Sequence, residues 1–273
     1  MKPSFFFSTA FLLLFTLSLI AQEKKNDSTY VFTMVKQNNM TSVKNQSRSG
    51  TCWSFSGIAF LESELLRMGK DTFDLSDMFC VRHAYSDKAT MFIRFQGKHN
   101  FAAGGAFHDV TDVLKKYGMV PEEVYTGKVI GEDNHVHGEM DEVLSADVNA
   151  VLKNSNRKLT PTWHKGFNGL LDAYLGKVPE KFSYKGKEYT PFTFAQMLGL
   201  NADDYIEVSS FTHHPFYSPF IIEIPDNWAL GEVYNLPLSE MMQVIDNAIE
   251  KGYTVAWGSD VSEKGFSWKN GVA

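Results

Sequence analysis

The stretch from Gly50 to Gly69 constrains the fold more than any other part of the chain. A turn of small residues around Ser49-Gly50 opens onto Cys52 to Met68, which predicts one helix of about five turns. Trp53, Phe55, Ile58, Leu61, Leu65 and Leu66 spread around more than one face, so this helix must be enclosed by other elements. Gly69 supplies its stop. With 273 residues, 44% of them hydrophobic and 14% aromatic, the chain can bury such a helix in one large or two modest domains.

Helical patterns dominate the first half. Ser76 is placed to cap a helix beginning at Asp77, and Phe107 to Tyr117 is strongly periodic and closed by Gly118. From about Gly131 to Ala202 the chain is charged and helical, with Met140, Val143, Leu144, Val148 and Val151 at helical spacing. Strands are expected at Thr29 to Thr33, Tyr205 to Ser209, Phe220 to Ile224 and Thr254 to Val261, with a helix from Leu238 to Lys251. Helices first and strands last predict an α+β chain. The expected organisation is a signal segment 1–21, a helical domain 22–130, a helical insertion 131–204, and the start of a β-rich domain 205–273.

The signal rests on Lys2, the apolar run Phe5 to Ile20, and Ala21 before a polar stretch. It predicts an exported chain, periplasmic or secreted, with no stable membrane insertion after cleavage. A formal net charge of −6 and an isoelectric point near 5.8 argue against nucleic acid as a partner. Of the two cysteines, Cys80 sits in an apolar run and reads as a buried free thiol, although an exported chain could join it to Cys52.

Cys52 is the residue with chemistry. At a helix N-terminus the dipole and unpaired N–H groups stabilise a thiolate, the reactive form of cysteine. Gln46, six residues upstream, carries an amide donor that could reach an oxyanion forming beside that sulfur. The arrangement suits acyl transfer through a thioester.

Gln46-x5-Cys52-Trp53-x-Phe55 resembles the papain-like cysteine peptidases, and the likeness continues through Glu62, Leu75-Ser76-Asp77 and Gly104-Gly105 to Tyr117-Gly118-Met119. The charged helical insertion, His214-Pro215 and Tyr253 to Val261 are more similar to the bleomycin hydrolase and aminopeptidase C branch. The resemblance implies a two-domain papain-like fold, with a helical left domain and a β-rich right domain. It implies Cys52 as nucleophile, Gln46 and the Cys52 N–H as oxyanion donors, and Gly104 and Gly105 lining the substrate cleft. It implies peptide substrates, aminopeptidase-like cleavage, no cofactor or metal, and a possible homo-oligomer of the full-length form. Ser49 stands where secreted papains have a further cysteine, so the disulfide of those enzymes is absent.

The imidazole such a nucleophile needs is harder to find. The papain signature places histidine and asparagine about 130–150 residues beyond the cysteine, and 182–202 here contains no histidine. His83, His99 and His108 belong to the helical half, and His164 to the insertion. His135 and His137 read as surface residues. His213 and His214 lie upstream of where the resemblance puts the base. The expectation is that the catalytic histidine and asparagine lie beyond Ala273, leaving the right domain incomplete and this chain inactive as it stands. The alternative is a peptidase-fold binding protein without a catalytic base.

Overall fold

The computed structural model describes residues 31–156, 158–267 and 269–271, so the expected signal segment and residues 29 and 30 lie outside it. Two compact units are present, Lys36–Trp257 and a smaller one built from both termini. In the smaller unit the chain turns repeatedly over residues 261–265, with Asp260 Oδ1 accepting from the Ser262 N–H and hydroxyl at 2.8 and 2.7 Å.

The larger unit opens with α1 (Cys52–Arg67), α2 (Asp77–Arg94) and α3 (His108–Tyr117). Next come α4 (Gly138–Leu152), α5 (Thr162–Leu175), the hairpin β1 (Phe182–Tyr184) and β2 (Lys187–Tyr189), and α6 (Pro191–Leu198). The chain closes with β3 (Val208–Ser209), β4 (Pro219–Ile221), β5 (Glu232–Asn235) and α7 (Leu238–Glu250). The last three strands form one sheet in the order β3-β5-β4, parallel between β3 and β5 and antiparallel between β4 and β5. The chain is α+β.

Helix α2 is the axis of the core, packed against α1, α3, α4 and α5. Ser76 caps it, accepting from the Phe79 N–H at 3.0 Å, which satisfies one of the donors a helix start leaves open. Ile58, Leu61 and Leu65 of α1 and Met78, Phe79, Ala84 and Tyr85 of α2 are buried together. The helices of the charged middle segment share this core. Met140, Leu144 and Val148 of α4 are fully enclosed, and Arg82 of α2 bonds Asp172 at 2.7 Å and Asn168 at 2.9 Å on α5.

Four strand expectations need correction, and the one at Tyr205 to Ser209 is realised only at Val208–Ser209, where β3 pairs with β5. Val31 to Thr33 and Thr254 to Val261 form no strand, since β propensity depends on context and does not by itself make one. The strand expected to reach Ile224 stops at Ile221, since Asn227 Nδ2 binds the Ile222 carbonyl at 3.0 Å and turns the chain away. No helix among the described residues is long and apolar enough to cross a membrane.

Candidate active site

The turn that presents Cys52 is fastened along its length. Lys44 Nζ lies 2.9 Å from Glu62 Oε1 and 2.7 Å from Asp74 Oδ1, and donates to the Leu75 carbonyl at 2.9 Å. Glu62, buried on α1, also accepts from Thr41 Oγ1 at 2.6 Å and the Leu75 N–H at 2.8 Å. Burial opposes the Lys44 charge, yet Asp77, Glu62 and Asp74 hold its ammonium well above the usual lysine range.

Further along, Arg48 forms a one-residue parallel bridge with Val136. Its N–H donates to the His135 carbonyl at 2.9 Å, and its own carbonyl accepts from the His137 N–H at 3.2 Å. Ser47 and Gly50 flank it in left-handed conformations, φ +52° and +65°. The Ser47 N–H is held by Asn45 Oδ1 at 2.8 Å, the side-chain turn that accommodates such a backbone. A Cβ on Gly50 would lie 2.9 Å from that of Ala103, so glycine is needed both for φ and for this close approach.

Cys52 then opens α1, exposed and unpaired. No side chain caps the helix start, so the positive end of its dipole is left to the cysteine. The sulfur makes no hydrogen bond among the described residues. Gln46 is half-buried, and neither atom of its amide has a hydrogen-bond partner there. Cys80 is free and buried, as its apolar run predicted, and burial pushes its thiol far up.

The diglycine packs against this turn. Trp53 Nε1 donates to the Ala103 carbonyl at 3.1 Å. A Cβ on Gly104 would land on the Asp226 carboxylate, and one on Gly105 would sit 2.5 Å from Asp109 Oδ2 and 2.9 Å from Trp53 Cε2. Beneath the segment is Lys88, 1% exposed. Its ammonium donates to the Ala102 carbonyl at 2.9 Å, to the Gly104 carbonyl, and more weakly toward Ala103 at 3.5 Å. The rings of Trp53, Tyr85 and Trp228 surround it at 5.7, 5.3 and 5.8 Å. Burial lowers its pKa to about 8, against the pull of Asp109 and Asp226. Asp109 Oδ2 accepts from the Ala106 N–H at 3.0 Å and from Trp228 Nε1 at 2.8 Å, and burial raises its carboxyl despite His108 and Lys88 nearby.

The structure therefore brings Gln46, Cys52, Gly104 and Gly105 onto adjoining segments. It brings no histidine into hydrogen-bond contact with Cys52 among the described residues. His83 stacks on Tyr117 at 3.9 Å, and burial lowers it to about 3. His99 contacts the Trp228 carbonyl, and His164 Nε2 lies 3.0 Å from Ser86 Oγ. His108 is held by Glu207 at 3.0 Å, and although burial opposes its charge, Glu207 raises its pKa. His213 meets the Phe211 ring edge-on, and His214 stacks on Phe220 at 4.1 Å.

The surface reading of His135 and His137 is wrong: they are 6% and 4% exposed. The backbone pairing with Arg48 draws them in, the His135 ring meets the Phe55 edge at 5.8 Å, and burial lowers both to about 4. No group of three or more His, Cys, Asp or Glu side chains among the described residues could hold a metal.

Lys88, Asp109 and Asp226 escaped the sequence reading. For Lys88 a signal existed, because it shares a helical stripe with Tyr85, Ala89 and Phe92, where a solvated lysine has no place.

Residues 15–168 match the model of the Peptidase C1-like family, more than half of the chain, and the chain belongs to that family. It is 24% identical to Aminopeptidase C of Lactobacillus delbrueckii subsp. lactis, over 82% of this chain and 59% of that protein. It is 22% identical to Aminopeptidase C of Streptococcus thermophilus, over 88% of this chain and 63% of that one. The crystal structure of PepW from Lactobacillus rhamnosis HN001 matches its fold with a TM-score of 0.64 at 19% identity, over 81% of this chain and 59% of that chain. The chain spans about three fifths of the length of the relatives it matches.

Proposed function

We propose that this chain carries the thiol side of a cysteine-peptidase centre, acting as an aminopeptidase on peptides. Cys52 sulfur attacks the peptide carbonyl carbon. The Gln46 amide and the Cys52 N–H stabilise the oxyanion, and the C–N bond breaks to leave a thioester that water hydrolyses. Gly104 and Gly105 line the bed for the substrate backbone. The observation that carries this reading is an exposed, unpartnered sulfur at the uncapped start of an enclosed helix, with the Gln46 amide unengaged on the same turn. The aminopeptidase assignment draws on the two relatives of that name. On this reading residues 1–21 are a signal, and a mature N-terminus at Gln22, read by mass spectrometry, is expected of the exported protein.

Expulsion of a peptide amine needs a proton from an acid, whereas a nitrophenolate leaves without one. An amino-acid nitrophenyl ester therefore tests the thiol side alone. A burst of about one nitrophenol per chain is expected, absent in Cys52→Ala and slowed about 100-fold in Gln46→Ala. A wild-type burst no faster than that of Cys52→Ala overturns the proposal. Peptide binding without a burst would instead support the second reading, a peptidase-fold binding protein, which the lack of a histidine bonded to Cys52 among the described residues favours.

A further inference from the structure

We propose that Lys88 and Asp109 are positioning residues that set the two peptide planes on either side of Gly105, so that its N–H and its carbonyl both face outward as a one-residue edge for an extended peptide. The inference rests on the peptidase reading, in which Gly104 and Gly105 line the bed for substrate backbone, and names the residues that hold that bed in shape.

The argument is stereochemical. A trans peptide is planar, and its C=O and N–H point in opposite directions. No cis peptide occurs in the described chain. The Gly104 carbonyl is turned down onto the Lys88 ammonium, so the N–H of the same plane, which belongs to Gly105, is turned away from it. On the other side, the Ala106 N–H is turned down onto Asp109 Oδ2 at 3.0 Å, so the Gly105 carbonyl of that plane is turned away. Neither Gly105 group has a hydrogen-bond partner among the described residues. Its Cα lies against Asp109 and the Trp53 ring, which leaves no room for a side chain on the inner face. One residue offering a donor and an acceptor in the same direction is the repeating unit of an antiparallel β ladder, and an extended peptide is its natural partner.

The buried ammonium is otherwise hard to account for. Lys88 makes no ion pair within 4 Å among the described residues, and a desolvated charge persists only where its hydrogen bonds are met. Here backbone carbonyls of residues 102 to 104 meet them, with three aromatic faces around the charge. Asp109 is fixed in turn by Trp228, so both orienting groups are themselves held. Two opposite charges thus hold two successive peptide planes in opposite senses.

The experiment compares alkylation of Cys52 by iodoacetamide, which makes no backbone contact, with alkylation by a dipeptidyl chloromethyl ketone, each rate normalised to glutathione. In the wild type the peptidyl reagent is expected to be favoured at least about 10-fold, a hydrogen-bonded pair being the main source. Lys88→Met and Asp109→Ala are expected to remove most of that preference while leaving the iodoacetamide rate within about twofold, a split that general loosening of the fold would not produce. N-methylation of the reagent at the residue facing Gly105 should remove the preference in the wild type and have no further effect in Lys88→Met. The wild-type half of this arm needs no folded variant. If the wild type shows no preference for the peptidyl reagent, the peptidase reading fails. If it shows the preference but N-methylation costs nothing, or both variants keep it, the role of Lys88 and Asp109 is overturned while the peptidase reading stands.

Discussion

The helical region that carries Cys52 and the strand-bearing region beyond residue 204 are stabilised by different means, although both lie in the larger unit. In the first, apolar side chains from α1 to α6 are enclosed in one continuous core. In the second, the most completely buried side chains include two amides, Asn227 and Asn235, while Ile206, Leu238, Met242 and Val244 face outward. Asn235 binds the Phe211 N–H and carbonyl and the carbonyls of His214 and Pro215, at 2.8 to 3.1 Å. Asn227 links Ile222 and Gly231 in the same manner. One region is set by apolar packing, the other by hydrogen bonds that hold loops in place.

This contrast can be broken by substitution. The largest expected effect is in the helical core, where Phe79→Ala should cost about 4 kcal/mol through lost burial and a residual cavity. Urea unfolding checks it, and a loss under 1 kcal/mol would mean that the core around α2 is loose.

Acid should act next, and on the same region. His137 is held neutral by burial, its pKa lowered to about 4 from an ordinary value near 6.5. The unfolded chain takes up this proton first, so stability is intact above about pH 6.5 and is lost as pH falls toward 4, by up to about 3 kcal/mol. Glu122 works in the opposite sense, because burial raises its carboxyl to about 7 and protonation on acidification relieves that penalty. The measurement is therefore differential. Wild type should lose stability relative to His137→Gln between pH 6.5 and 4, and parallel pH curves would contradict a buried neutral ring.

In the strand-bearing region, Asn235→Ala should cost about 2 kcal/mol, since it strands several enclosed backbone groups at once. Hydrogen exchange should rise first at Phe211, whose N–H donates to the Asn235 side-chain oxygen. Uniform deprotection of α2 instead would show that the two regions unfold as one.

The same contrast explains what was legible in the sequence. Apolar periodicity and capping chemistry are written locally, so α1, α3 and α7 fall within a residue of expectation, and α2 starts at its Ser76 cap. The short strand β5 was not foreseen, because Glu232 to Asn235 is brief and its pairing depends on partners distant in sequence. His135 and His137 sit among charged neighbours, and only the bridge to Arg48 reveals their burial. Cys52, Gln46, Gly104 and Gly105 stood out by residue type and spacing. Lys88 left only its place on the apolar stripe of α2, and the contact of Asp109 with the Ala106 N–H has no signature of residue type or spacing that points to a site.

The smallest expected effect is on α7, and it sharpens the comparison most. No residue of this helix is fully buried, and Leu238, Met242 and Val244 are exposed on it. Exposed positions without special contacts change stability by about 0.5 kcal/mol or less, so Met242→Gln and Val244→Thr should be close to neutral by urea unfolding. A loss above 2 kcal/mol would mean that this face is covered in solution and that the strand-bearing region does have an apolar core. Near-neutrality of both variants, beside a large loss for Phe79→Ala, would establish that cooperative stability resides in the helices carrying Cys52. The amide-held loops, including the one that brings Asp226 over Gly104, would then be fastened onto that scaffold.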